Sequence, residues 1–145
     1  KFLKLRKIKK NSPIPIMADE SCGDDHDAER LIELKACDYF NIKLGKSGGI
    51  FKALKIVRLA EAAGIHLQVG AMIESRLAMT AFAHFSLCSH LIEHFDFDTA
   101  LMFSEDPVTG GIVYEKNGVV KVPESIGLGA TIDEEWLRKM ESVVI

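Results

Sequence analysis

Carboxylates and a lysine recur in this chain directly after short apolar runs. Asp19, Glu20 and Ser21 follow the run 14–18, Lys43 follows 39–42, and Asp96 and Asp98 follow 92–95, while a fourth run, 66–69, leads into Glu74 and Ser75. Each run has the length and composition of a β-strand, and the stretches between them carry helical spacing. In parallel α/β architectures the carboxyl ends of the strands open on one face, so charged groups far apart in sequence converge there. A lysine among carboxylates at such a rim has the layout of a metal-assisted proton-transfer site, with the lysine as the base and a carboxylate as the ion's ligand.

The elements that must position these groups alternate. Residues 1–10 interleave basic residues with Phe2, Leu3, Leu5 and Ile8, which suits an amphipathic helix with a solvated face, and Asn11-Ser12-Pro13 stops it. Asp24, Asp25 and Asp27 supply acidic N-terminal residues for a helix running to about Ala36, with Ala28, Leu31, Ile32 and Leu34 on its apolar side. Gly45, Gly48 and Gly49 make the turn into a helix over 50–63 that Gly64 ends. Residues 75–88 form a further helix rich in Ala and Phe. After Asp98 the alternation stops. Segments 112–114 and 119–122, around Lys116-Asn117-Gly118, read as a β-hairpin, because Asn-Gly favours turns with positive φ. Gly127-Leu128-Gly129 is a loop, and a helix over 133–142, capped by Thr131 or Asp133, carries the only tryptophan, Trp136.

Composition excludes several classes. With 48% hydrophobic and 27% charged residues, 145 residues suffice for one core, and a net charge of −3 gives no electrostatic case for nucleic acid. No apolar stretch reaches the roughly 18 residues of a membrane span and no signal-peptide pattern appears, so a cytoplasmic location is the default expectation. Cys22, Cys37 and Cys88 are odd in number and make no C-x-x-C pair, so they read as reduced thiols, two of them in or near the core. His84, His90 and His94 are expected on a helix and the following turn in structural roles, which makes zinc a poor candidate.

Four β/α units make half of an eight-unit barrel, and four parallel strands alone would leave two open edges. The expectation is therefore an α/β fold that forms the C-terminal half of a (β/α)7β barrel within a longer polypeptide. Residues 1–98 would be that half, and 99–145 a hairpin and helix packing outside the barrel or on a capping domain.

The strings Pro15-Ile16-Met17-Ala18-Asp19-Glu20-Ser21, Asn41-Ile42-Lys43-Leu44-Gly45-Lys46-Ser47-Gly48-Gly49, Val69-Gly70-Ala71-Met72-Ile73-Glu74-Ser75 and Phe95-Asp96-Phe97-Asp98 carry a family resemblance. In this order and spacing they resemble the second half of an enolase-superfamily enzyme of the muconate-lactonising subgroup. Within it they are similar to dipeptide epimerases of the L-Ala-D/L-Glu type. The resemblance implies one Mg²⁺ per complete site with Asp19 as the third of three metal carboxylates, the other two lying outside this sequence. It implies Lys43 as a proton-transfer base, since enolase-superfamily sites pair a Lys or His base with Mg²⁺. Asp96 and Asp98 would hold the α-ammonium of a dipeptide's N-terminal residue. Ala71 and Ile73 would line the substrate through backbone groups, and Glu20 and Glu74 would stand behind these residues.

The α-proton of an amino-acid residue is so weakly acidic that its removal at neutral pH needs strong electrostatic stabilisation of the resulting enediolate. Epimerisation also needs bases on both faces of the α-carbon, and the family's opposite Lys-x-Lys motif is absent here. The expected activity, on an L,L-dipeptide such as L-Ala-L-Glu, thus requires the N-terminal half, and a homo-oligomer is possible. Two alternatives stay open: o-succinylbenzoate synthase or N-acylamino-acid racemase chemistry, and a non-catalytic half-barrel module. A phosphate-binding reading of Gly45-Lys46-Ser47 fails, because Phe40 stands where that motif needs glycine.

Overall fold

A computed structural model describes residues 1–143. The described chain divides into two compact units, one of residues 1–72 and 85–96, the other of 73–84 and 97–143. The second unit thus takes in a stretch between the third and fourth strands as well as the tail.

The first unit is built on a parallel sheet. Its elements are α1 (Phe2–Asn11), β1 (Met17–Ala18), α2 (Asp25–Glu33), β2 (Tyr39–Ile42), α3 (Ile50–Ala63), β3 (His66–Val69) and β4 (Ile92–Phe95). The strands pair in the order β1-β2-β3-β4, all parallel, in register Met17 to Tyr39, Tyr39 to His66 and Leu67 to Ile92. Side chains alternate along a strand, so Phe40, Ile42, Leu67 and Val69 share one face. All four are at most 1% exposed, and α3, which contributes the buried Ala53, Ile56, Val57 and Ala60, packs against β2 and β3. The other face carries Met17, Asp19, Tyr39, Asn41, Lys43, His66, Gln68 and Gly70.

Local chemistry sets most of the boundaries. Asp24 caps α2, its carboxylate accepting from the Asp27 N–H at 2.8 Å. Gly64, at φ 66°, closes α3 in the left-handed conformation that glycine adopts without strain. Three expectations need correction here. The strand expected over 14–18 shrinks to Met17–Ala18: Pro13 and Pro15 bring no N–H, and the Ile16 N–H donates to the Asp38 carboxylate at 2.8 Å. Helix α2 ends at Glu33, with Lys35 at φ 48° turning the chain. His94 lies on β4, where its ring stands 5.4 Å from that of Tyr39.

The second unit holds most of α4 (Arg76–Ser86), a 3-10 turn at Thr99–Met102, and two antiparallel pairs. Strands β6 (Val113–Tyr114) and β7 (Val120–Lys121) form the expected hairpin, with Asn117 at φ 64° and Gly118 at φ 75° in its turn. The second pair, β5 (Val108–Gly110) with β8 (Ala130–Ile132), was not expected from the sequence. Arg76 organises it: its guanidinium pairs with Asp106 and donates to the carbonyls of Val108 and Gly110. The Thr80 hydroxyl accepts from the Ile112 N–H at 3.0 Å. Helix α5 covers only Glu134–Arg138, shorter than the expected 133–142, and Asp133 is its cap, accepting from the Trp136 N–H at 2.8 Å. Among the described residues no helix is long and apolar enough to cross a membrane.

Candidate active site

The carboxyl ends of β1 and β2 bring Asp19, Glu20, Lys43 and Lys46 together. Asp19 follows β1 and Lys43 follows β2, both on the face opposite the helix-packed core. The Lys43 ammonium lies 3.1 Å from Asp19 Oδ2 and 3.7 Å from Glu20 Oε1, and its side chain is only 11% exposed. Glu20 itself is exposed. A lysine buried to this degree needs partners for its charge, and the neighbouring strand end provides them.

Lys46, which sequence reasoning left without a role, is more fully engaged. In the turn after β2 its Nζ donates to Asp19 O at 2.7 Å, Asp19 Oδ1 at 3.0 Å and Asn41 O at 2.9 Å. In the sequence it lies three residues past Lys43 in the loop, where it matches a lysine often seen in the family's motif but not the position of the base. Burial alone pushes the Asp19 carboxyl up, but the hydrogen bonds and charges of Lys46 and Lys43 outweigh it and hold Asp19 below its ordinary 3.8. Asp19 is therefore a carboxylate at neutral pH.

Behind this pair the same face remains polar. Asn41, 5% exposed, packs on Gly70, and its Oδ1 has no hydrogen-bond partner among the described residues. Further from the rim, Tyr39 donates to Glu93 Oε2 at 3.3 Å and its ring lies 5.2 Å from that of His66, whose Nδ1 is 3.0 Å from Glu93 Oε1.

Asp96 comes directly after β4, half-buried, its N–H donating to Val69 O at 3.0 Å, and Ala71 is buried just beyond β3. In the second unit, Ile73 is exposed, while Glu74 exchanges hydrogen bonds with Thr99: its N–H donates to Oγ1 at 3.4 Å and its carbonyl accepts from that hydroxyl at 3.3 Å. Asp98 is exposed at the head of the 3-10 turn, with φ −89° and ψ −13°, so the chain leaves strand geometry before reaching it. Strand alternation therefore does not relate Asp98 to Asp96.

Comparison with known proteins is consistent across sequence and structure. The family model described as "Enolase C-terminal domain-like" matches residues 1–136. The chain is 54% identical over 144 residues, 99% of its length, to a D-Ala-D/L-Ala epimerase of Cytophaga hutchinsonii. It is 42% identical over 86% of its length to an L-Ala-D/L-Glu epimerase of Bacillus subtilis, and 35% identical over 92% to an N-succinyl-L-Arg/Lys racemase of Bacillus cereus. Such enzymes are isomerases. The chain spans only 39%, 34% and 35% of these three relatives. A solved dipeptide epimerase from Cytophaga hutchinsonii, complexed with Mg and D-Ala-L-Val, superimposes with a TM-score of 0.94 at 54% identity, covering 97% of this chain and 38% of that one. The substrate-liganded L-Ala-D/L-Glu epimerase from Bacillus subtilis gives 0.86 at 41% identity, covering 89% of this chain and 36% of that one. With its parallel α/β sheet and these relatives, the chain belongs to the enolase C-terminal domain-like family.

Proposed function

We propose that this chain is the C-terminal part of a Mg²⁺-dependent dipeptide epimerase, which moves the α-proton of a dipeptide's C-terminal residue from one face to the other. Residues 1–98 would supply the second half of the barrel and 99–145 the hairpin and helix beyond it, the N-terminal half of the same protein completing the site. The observation that carries this reading is the buried Lys43 at the end of β2, 3.1 Å from the strand-end carboxylate Asp19. A lysine so placed at the open end of a parallel sheet can exchange a proton with a substrate carbon, and its neighbours keep it from swinging into solvent.

Asp19 fits the metal role: it offers a hard carboxylate oxygen and is ionised at neutral pH. Among the described residues no group of three or more His, Cys, Asp or Glu gathers to hold an ion, so the reading takes the remaining ligands from outside this chain. Mg²⁺ held there would supply positive charge to balance the negative charge that grows on the substrate carboxylate as the proton leaves. Lys43 takes or returns that proton at the α-carbon, and a base from the N-terminal half serves the opposite face. Asp96 and Asp98 receive the substrate's α-ammonium, Ala71 and Ile73 line it with backbone groups, and Glu20 and Glu74 support these residues.

L,L-dipeptides such as L-Ala-L-Glu are the first substrates to test, and the 54% identity to a D-Ala-D/L-Ala epimerase brings D-Ala-L-Xaa dipeptides into the same panel. A second reading, N-acylamino-acid racemisation, is favoured by the 35% identity to an N-succinyl-L-Arg/Lys racemase. Chiral chromatography of both substrate sets incubated with the full-length protein separates them. The dipeptide reading expects epimers only from substrates with a free ammonium, with loss of that activity in Asp98→Asn. Turnover confined to N-succinylamino acids would overturn it.

A further inference from the structure

We propose that Lys46 is a positioning residue that leaves Asp19 a single oxygen for a divalent ion, and so favours Mg²⁺ over Ca²⁺. The inference rests on the metal role proposed for Asp19. An ammonium has three hydrogens, and Lys46 spends all three on Asp19 O, Asp19 Oδ1 and Asn41 O, at 2.7, 3.0 and 2.9 Å. None is left for a substrate, so the second lysine of this site is not a second base. Two of its acceptors are backbone carbonyls at the adjoining ends of β1 and β2. They fix Nζ in place whatever the carboxylate does, and the side chain is only 15% exposed.

With Oδ1 gripped by Lys46, Oδ2 is the oxygen an ion would take, and since it lies 3.1 Å from the Lys43 ammonium the ion would replace Lys43 as its partner. A carboxylate that chelates a cation must give both oxygens, and here Oδ1 is held by an ammonium that two backbone carbonyls anchor, so an ion can displace Lys43 from Oδ2 more readily than Lys46 from Oδ1. Mg²⁺ accepts single oxygens at short, near-octahedral positions, whereas Ca²⁺ takes more oxygens at longer range and uses bidentate carboxylates readily. Lys46 therefore selects by denticity.

The test is a pair of dissociation constants, for Mg²⁺ and for Ca²⁺, measured by titration calorimetry on the full-length wild type, Lys46→Met and Lys46→Gln. Removing a positive charge beside the site strengthens the attraction for both divalent ions alike, so that effect cancels in the ratio of the two constants while the change in denticity remains. The expected result is a shift of the ratio toward Ca²⁺ by about tenfold or more in Lys46→Met. Lys46→Gln, whose amide nitrogen ends a bond short of the Nζ position, shifts the same way and decides the matter if the methionine variant does not fold. A ratio unchanged within about twofold, with both affinities moving together, overturns the role of Lys46. Wild-type epimerisation, assayed in the same preparation, separates the two readings: an active enzyme with an invariant ratio sinks only the Lys46 inference, and a wild type that neither binds Mg²⁺ nor epimerises sinks both.

Discussion

Gly70 should not tolerate a side chain, and the reason lies two residues from the proposed base. A Cβ built at Gly70 would stand 2.3 Å from Asn41 Oδ1, 2.9 Å from Nδ2 and 3.0 Å from Cγ, against an ordinary contact of 3.4–4 Å. The oxygen would have to retreat by about 1 Å, and Asn41, 5% exposed on the middle strand β2, has little room to do so. Overpacking of this kind costs about 1–3 kcal/mol, and displacing a buried amide places the cost of Gly70→Ala near the upper end, about 2–3 kcal/mol. Urea unfolding of the full-length protein measures it. The cause is isolated by a double-mutant cycle: an Asn41→Ala background removes the three atoms nearest the added methyl, so Gly70→Ala should then cost about 1 kcal/mol less or better. A Gly70→Ala protein within about 0.5 kcal/mol of wild type, or the same cost in both backgrounds, would refute the reasoning.

Other consequences follow from the charged and buried groups. Asp19 is held below 3.8 against its burial by Lys46 and Lys43, and Asp38 likewise by the Ile16 N–H and Lys9. A depressed folded pKa contributes stability that is fully present above the ordinary value and lost as pH falls through the folded one. Asp19→Asn and Asp38→Asn should each flatten the loss of stability below about pH 4 in urea midpoints taken from pH 2 to 7, and an unaltered acid limb would contradict the pairing. Burial pushes the Cys22 and Cys37 thiols up to about 12, while Cys88 is exposed. Brief alkylation near pH 8 with peptide-level mass spectrometry should mark Cys88 alone, and all three only in denaturant. Arg76→Met strips partners from the Val108 and Gly110 carbonyls and should destabilise the second unit by about 1–3 kcal/mol. Hydrogen exchange should quicken across 108–110 and 130–132, and unchanged protection there would show that Arg76 does not organise the pair.

The parts legible in the sequence were those dictated by local signals. Helix α3 is legible at its observed bounds because Gly49 and Gly64 bracket an apolar repeat, and β2, β3 and β4 because short runs mixing apolar and polar residues, Phe40 and Ile42, Leu67 and Val69, Ile92 and Phe95 among them, lie between helical stretches and polar or glycine turns. Strand β1 is shorter than its sequence suggests because the side chain of Asp38, distant in sequence, takes the Ile16 N–H that a longer strand would use. The β5–β8 pair leaves no signal in the sequence, since its strands are three residues long, twenty apart, and tied by the side chain of Arg76 instead of any periodicity. At the site, Asp19 and Lys43 announced themselves by their positions at strand ends. Lys46 did not, since nothing in its spacing from Lys43 tells a solvated loop lysine from one whose three hydrogens are all spent on β1 and β2.

The central claim is that Lys43 moves a proton at the substrate α-carbon, and incorporation of solvent deuterium tests it most directly. The full-length protein, incubated in D₂O with Mg²⁺ and its best dipeptide, is followed by NMR at the α-position, beside the Lys43→Ala variant. The account predicts exchange with epimer formation in the wild type and a loss of about 10²–10⁴-fold in Lys43→Ala, with Mg²⁺ binding retained. Exchange that survives at the wild-type rate without the Lys43 amine would contradict it.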